Sequence, residues 1–493
     1  MRDVVKLCLR QLVPAALGLR QLMPAALGMC AATVLGASEI RLPDIGDSGA
    51  GAMSPIEEQQ IGEAVVRNIR RAGGVIDDPL LVQYINHMGY QLIAARREQT
   101  REFNFFVVND GGINAFALPG GYIGINYGLF QAFDTENELA AVVAHEIAHV
   151  TQRHHARAYE MQSGSNLPVL AAMIAAMLLG AGDIGQAAAA SVAAGSIQHQ
   201  LDFTRGNEME ADRIGISLLA DAGYDPHSMA STFERMAREA RLYGPQLPEF
   251  LRTHPVSETR IAEARSRADR YQPRRSTPRP SYFLMRARLA VLTSRDIDAT
   301  VKRFRKNLTN HSYMNRDAEG YGYALALLQA KKPAEARPEV ERLREKEPNR
   351  IAYQILHAQL EMLDSKPDQA QRIYEDALAL SPGNPTLTYY YAETLIDSGK
   401  PRKANALLKD FLRAPPSQPA FYRLLSETES QLGNLANAHE ALAEYYYNVG
   451  QTHQAITQLT LARQAKSMDF YQSARIEARL AQFKDELALL SKK

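Results

Sequence analysis

Thr135-Glu136-Asn137-Glu138-Leu139-Ala140-Ala141-Val142-Val143-Ala144-His145-Glu146-Ile147-Ala148-His149 is the stretch from which the rest of this chain can be read. Thr135 followed three residues later by Glu138 is a capping box, so a helix starts here. The residues behind it are apolar and include no glycine or proline. On a helix His145 and His149 share one face, so two imidazoles can share one metal ion. Glu146 lies about 100° further round, where it can take a proton from an attacking water without being a ligand. This is the H-E-x-x-H arrangement, with two His for zinc and a Glu as general base of peptide hydrolysis. A buried polar group without a partner costs roughly 2–7 kcal/mol, so three of them on one apolar helix need a reason.

A zinc site with three protein ligands requires one more. The candidates lie in Arg205-Gly206-Asn207-Glu208-Met209-Glu210-Ala211-Asp212-Arg213. Glu208 and Asp212 are four apart and face the same way on a helix, so one can bind metal while the other orients a ligating His. Spacing alone does not choose among Glu208, Glu210 and Asp212.

His145-Glu-Ile-Ala-His149 followed by Asn207-Glu208-Met-Glu210-Ala211-Asp212 resembles the zinc metallopeptidases that include HtpX and the yeast CAAX protease. The likeness is strongest to the BepA-like periplasmic members, in which a tetratricopeptide array follows the protease. It implies a zincin fold with one Zn2+ per chain, Glu208 as third ligand and Asp212 as its supporting carboxylate. Asn114 to Ile123 resembles the family's strand beside the active site. In a zincin an edge strand near the metal lets a substrate add as a further strand. Ala115-Phe116-Ala117-Leu118 or Tyr122 to Ile125 are the candidates for that edge. The resemblance also includes the segment Thr253-His254-Pro255. If His254 takes the fourth position on zinc, water is displaced and the enzyme is switched off. His154, further along the zinc helix, is off the ligand spacing and is expected at the surface.

At 493 residues the chain should hold two or more domains. Lys and Arg total 56 against 55 Asp and Glu, and this balance gives no sign of a nucleic-acid partner. Residues 1–38 read as an export signal: Arg2, Lys6, Arg10 and Arg20 precede an apolar run from Leu22 to Leu35. Both cysteines, Cys8 and Cys30, fall in this leader, so the mature chain would carry none. Export to the periplasm, peripheral to the outer membrane, is the economical expectation. The protease is expected over 50–270. Within it Ser54 and Glu57 form a capping box, Asp78-Pro79 starts a helix to about Ala95, and Phe103 to Val108 is a strand. A second apolar run, 167–182, reaches only ~24 Å as a helix against ~30 Å of hydrocarbon. It reads as a hairpin that covers the site or touches a membrane peripherally.

Residues 271–281, rich in proline and arginine, make a linker. Beyond it the chain repeats. Ala324, Ala358 and Ala392 are 34 apart, as are Ala336, Ala370, Ala404 and Ala438, and Pro348, Pro382 and Pro416. This is the tetratricopeptide period, and 282–490 is expected to form a repeat solenoid with a concave groove for proteins. The register breaks after Ala438, so units there are harder to place.

The expected architecture is mainly α: a zincin-type α+β metallopeptidase domain followed by an α-solenoid of tetratricopeptide repeats. The expected function is an exported zinc endopeptidase in outer-membrane protein quality control. Its substrates would be outer-membrane proteins or their assembly machinery, reached through the repeats. The alternative is a periplasmic chaperone or scaffold acting through the repeats, with proteolysis latent.

Overall fold

Helix α1, Pro55–Arg71, begins where Ser54 accepts from the Glu57 amide and the Glu57 carboxylate accepts from the Ser54 amide. Helix α2, Pro79–Ala94, follows, with Asp78 Oδ1 accepting from the Leu81 amide at 3.1 Å. Three strands come next: β1 (Asn104–Val108), β2 (Ala115–Leu118) and β3 (Tyr122–Asn126). The computed structural model describes residues 54–94, 102–154, 205–243, 248–272, 279–413, 418–465 and 468–491, all within one compact unit from Ser48 to Lys493. The expected signal at 1–38 and the apolar run 167–182 lie outside the described residues.

The sheet order is β1-β3-β2, with β1 parallel and β2 antiparallel to β3. Alternate side chains go to opposite faces. Phe105, Val107, Ala115, Ala117, Ile123 and Ile125 face the core shared with α2 and the zinc-motif helix. Phe106, Val108, Phe116, Leu118 and Tyr122 meet Ile61, Val65, Val66 and Ile69 of α1. A sheet buried on both faces explains why its strands read as unbroken apolar runs. The β2–β3 turn contains Gly121 at φ +81°, where a Cβ would stand 2.2 Å from the Glu102 carbonyl oxygen. Of the two strands considered as a substrate edge, Tyr122 to Ile125 is excluded, because β3 is central. Among the described residues β2 has a strand on one side only.

Helix α3 (Tyr127–Ala132) leads to α4 (Glu136–Thr151), which carries the H-E-x-x-H motif and starts at the Thr135–Glu138 capping box. Helix α5 (Arg205–Asp221) lies along α4, followed by α6 (Ser228–Tyr243), α7 (Glu249–Thr253) and α8 (Glu258–Ala268).

The repeats form helix pairs: α9 (Pro280–Leu292) with α10 (Ile297–Thr309), α11 (Arg316–Gln329) with α12 (Pro333–Lys346), and α13 (Ile351–Leu363) with α14 (Pro367–Leu380). Then come α15 (Pro385–Asp397) with α16 (Pro401–Phe411), α17 (Ala420–Gln431) with α18 (Leu435–Asn448), and α19 (Thr452–Arg463) with α20 (Phe470–Ser491). The periodic alanines 324, 336, 358, 370, 392 and 404 are fully buried, as close helix contact requires. Pro333, Pro367 and Pro401 open the second helix of three pairs, where a missing N–H is harmless.

The solenoid closes on the protease. Tyr282 of α9 stacks on Phe130, and its Oη lies 2.9 Å from the Phe133 carbonyl oxygen. Arg288 donates to both Asp78 carboxylate oxygens at 2.7 and 2.6 Å, and Thr386 Oγ1 lies 3.0 Å from the Pro79 carbonyl oxygen. At the far end Arg67 of α1 pairs with Glu486 at 2.7 Å and stacks over Tyr447. Tyr389, Tyr390 and Tyr391 are largely buried; Tyr389 and Tyr390 line a cavity of about 500 Å³ beside Asp78 and Arg288, and Tyr390 Oη lies 3.3 Å from Asp78 Oδ2.

Candidate metal centre

One turn of α4 brings the two motif imidazoles together, with His145 Nε2 and His149 Nε2 3.0 Å apart. Helix α5 runs beside it and presents Glu208, whose Oε2 lies 3.5 Å from His145 Nε2 and whose Oε1 lies 3.4 Å from His149 Nε2. His254, just past α7, closes the cluster: its Nδ1 is 3.4 Å from His145 Nε2 and 2.9 Å from Glu208 Oε1. None of His145, Glu146, His149, Glu208 or His254 is more than 2% exposed.

These separations test whether the residues suit a metal. Four ligand atoms about 2.0–2.1 Å from a tetrahedral ion stand roughly 3.3 Å apart. One atom from each of His145, His149, Glu208 and His254 can be chosen so that all four lie within 4.8 Å of one another. Two imidazole nitrogens facing each other at this distance, beside a carboxylate, are spaced as shared ligands. The residues fit a metal ion.

The charges agree. Burial works against a proton on His145, but Asp212 and Glu208 overcome it and push its pKa up to about 10. Burial holds His149 well below its usual range, and the neighbouring His145 adds to this. Burial would raise Glu208, yet His254, His145 and His149 hold it well below the ordinary carboxylate range. Glu146 is raised by burial. The neighbouring His254, whose Nε2 stands 3.6 Å from Oε1, and the Ala117 backbone of β2 work against that rise.

Around the cluster, Asp212 Oδ1 lies 3.0 Å from His145 Nδ1. Arg260 of α8 grips Asp212 through Nε and Nη2 at 2.7 and 2.8 Å. Its Nη1 also reaches Glu208 Oε2 at 2.9 Å and the Pro255 carbonyl at 2.7 Å. Sequence reasoning passed over Arg260, although Arg260, Ala264 and Ala268 form a buried i, i+4, i+8 stripe that marks it as inward-facing. His154 is corrected outright. It is fully buried, with Nδ1 2.8 Å from His149 Nδ1 and Nε2 3.3 Å from Glu210 Oε2. The helix ends at Thr151 and Arg153 adopts φ +51°, so the chain turns back and helical spacing no longer says where His154 points. Glu210 is thereby placed beside His154 rather than in the cluster. Ala115 to Leu118 form β2, against the α4 helix.

The model of peptidase family M48 matches residues 79–268, and a tetratricopeptide repeat model matches 362–428. The chain is similar to the putative beta-barrel assembly-enhancing protease of Vibrio cholerae serotype O1, with 37% identity over 456 residues covering 92% of this chain and 94% of that one. It is 33% identical over 445 residues to the beta-barrel assembly-enhancing protease of Escherichia coli K12, covering 90% and 91% of the two chains. The mitochondrial metalloendopeptidase OMA1 of Arabidopsis thaliana is 28% identical over 217 residues, 43% of this chain and 42% of that one. Similarity that runs through both the protease and the repeats fixes the relationship: this chain belongs to the beta-barrel assembly-enhancing proteases, M48 metalloendopeptidases that carry a tetratricopeptide array.

Proposed function

We propose that the chain is an exported zinc endopeptidase of outer-membrane protein quality control, held in check by a closed active site. The observation that carries this reading is the buried cluster of His145, His149, Glu208 and His254 with Glu146 beside it. His145, His149 and Glu208 would hold one Zn2+, and Asp212 would orient His145 through Nδ1. Zinc supplies Lewis acidity to the scissile carbonyl and lowers the pKa of the attacking water. Glu146 takes the proton from that water and delivers it to the leaving amine. Burial raises its pKa above the ordinary carboxylate value, the direction that suits a group which must both accept and return a proton. The edge strand Ala115–Leu118 would take the substrate backbone as an added strand.

His254 sits where a fourth ligand would stand and, at 3.6 Å, also faces the base. In this reading it excludes water until the segment around it moves. The relatives from Vibrio cholerae and Escherichia coli are named for enhancing β-barrel assembly. That supports outer-membrane proteins, or the machinery that assembles them, as the partners, with the repeats as the recognition element and the periplasm as the location. Residues 1–38 would be the export signal. Among the described residues no helix is long and apolar enough to cross a membrane.

The test is metal content and casein cleavage by the purified chain, beside the Glu146→Gln and His254→Ala variants. One zinc per chain, cleavage abolished by the first change and raised by the second, is the expected result. Zinc without cleavage by any variant would move the assignment to a scaffold. Cleavage unchanged in His254→Ala would remove the inhibitory role alone.

A further inference from the structure

His145 and His149 are supported differently. Behind His145 stands a carboxylate, Asp212 Oδ1, at 3.0 Å from Nδ1. Behind His149 stands another imidazole: His154 Nδ1 at 2.8 Å from His149 Nδ1. On the far side of His154, Glu210 Oε2 lies 3.3 Å from Nε2, and Glu210 is also 3.5 Å from Arg213. Helix α5 therefore supports one imidazole directly with Asp212 and the other, through His154, with Glu210.

A carboxylate can only accept, so the hydrogen on this chain of contacts has one direction. His154 carries its hydrogen on Nε2 and gives it to Glu210. A neutral His154 then has a lone pair on Nδ1, so the hydrogen between the two rings belongs to His149 Nδ1. The lone pair of His149 is left on Nε2, the nitrogen that faces His145 and Glu208. With the chain reversed, Nε2 would carry a hydrogen and could not ligate.

We propose that His154 and Glu210 are positioning residues that set the tautomer and ring orientation of His149 for metal binding. The inference rests on the metal-site reading above. It extends that reading to a residue beyond the motif helix and to a carboxylate 32% exposed at its side chain. Partners of this kind change metal affinity by about 10- to 100-fold.

The experiment is zinc affinity by chelator competition, with the absorption spectrum of the cobalt-loaded protein, on the full chain. His154→Ala should weaken zinc by about 10- to 100-fold and shift the cobalt bands. His154→Asn, which can offer an acceptor to His149 and a donor to Glu210, should restore much of both. Glu210→Ala, which leaves His154 in place, should weaken zinc in the same direction by a smaller factor. Far-ultraviolet dichroism of the metal-free variants separates loss of the site from loss of the fold. If the folded His154→Ala and Glu210→Ala proteins bind zinc like the wild type, the inference is overturned while the metal site stands. If His154→Ala does not fold, Glu210→Ala decides by the same criterion. A wild-type chain that takes up no zinc overturns both.

Discussion

At the scale of single residues, Arg260 shows how much of this site lies outside its motif. Its side chain is 3% exposed and its guanidinium faces two carboxylates, Asp212 and Glu208, carried on the same helix α5. Burial disfavours its charge, yet Asp212 and Glu208 raise its pKa, so it stays protonated. Removing one partner of a buried ion pair costs about 3–5 kcal/mol, because the remaining charge has no water to return to. Arg260→Met should therefore lower the urea unfolding free energy of the metal-free chain by about that amount, with Arg260→Lys intermediate because it keeps charge but loses the fork. Equal stability in all three would mean that the carboxylates find other partners. The same residue marks the limit of sequence reading here. His145, Glu146 and His149 were legible because one helical turn fixes their geometry locally. Glu208 and Asp212 stand on a distant helix, so spacing only narrowed the choice, and their separate roles rested on family likeness. His154 was misread because the chain leaves the helix before reaching it.

At the scale of elements, the helix starts and the 34-residue period were legible because capping and close contact are local demands. The turn inside each repeat is silent in the alanine and proline periods, and it contains a small inconsistency. Lys331, Ser365, Gly399 and Gly433 occupy equivalent positions 34 apart, all with positive φ of +56°, +59°, +68° and +79°. Two repeats use the residue suited to that conformation and two do not. A side chain there costs about 1–2 kcal/mol, partly offset by the greater freedom glycine gives the unfolded chain. Ser365→Gly should stabilise the protein by about 0.5–1 kcal/mol, seen as a higher Tm. A lower Tm would show that the Ser365 side chain does something the turn geometry does not reveal. Glu339, in helix α12, makes a different prediction. Burial would raise its pKa, but Arg316 at 2.8 Å and Arg342 at 2.7 Å hold it below the ordinary value. A folded-state pKa below the unfolded one means its contribution is complete above the unfolded value. The contribution is then lost as pH falls through the folded value. The stability gap between wild type and Glu339→Gln should be widest near pH 7 and narrow steadily below about pH 4. A gap independent of pH would assign the effect to packing.

At the scale of the whole molecule, the concave wall that the repeat period leads one to expect as an open groove is partly closed on the protease itself. No local pattern could have shown this, since Arg288 and Asp78 are 210 positions apart and Tyr390 and Asp78 are 312 apart. Asp78 caps helix α2, accepts both arms of Arg288 and takes a further contact from Tyr390, while Tyr321 Oη accepts from Arg288 Nη1 at 2.8 Å. Both members of the ion pair are under 10% exposed. The joint therefore consists of a desolvated charge pair fixed by groups from α9, α11 and α15, and it ties three repeat helices to the start of one protease helix. Such a pair stabilises the assembly only while both members are present. Arg288→Met keeps the apolar stem but leaves Asp78 without its counter-ion, at a cost of about 3–5 kcal/mol. If this joint makes the two parts unfold together, the wild type should show one transition by ellipticity and by the fluorescence of labels placed separately in protease and repeats. In Arg288→Met the two labels should report different midpoints, with the weaker part melting first. Coincident, unshifted midpoints in the variant would show that the contacts of Tyr282 with Phe130 and Phe133, and of Arg67 with Glu486, are sufficient to couple the parts. Asp78→Asn distinguishes the charge from the cap: an amide oxygen can still accept from the Leu81 amide, so a loss shared by both variants belongs to the ion pair.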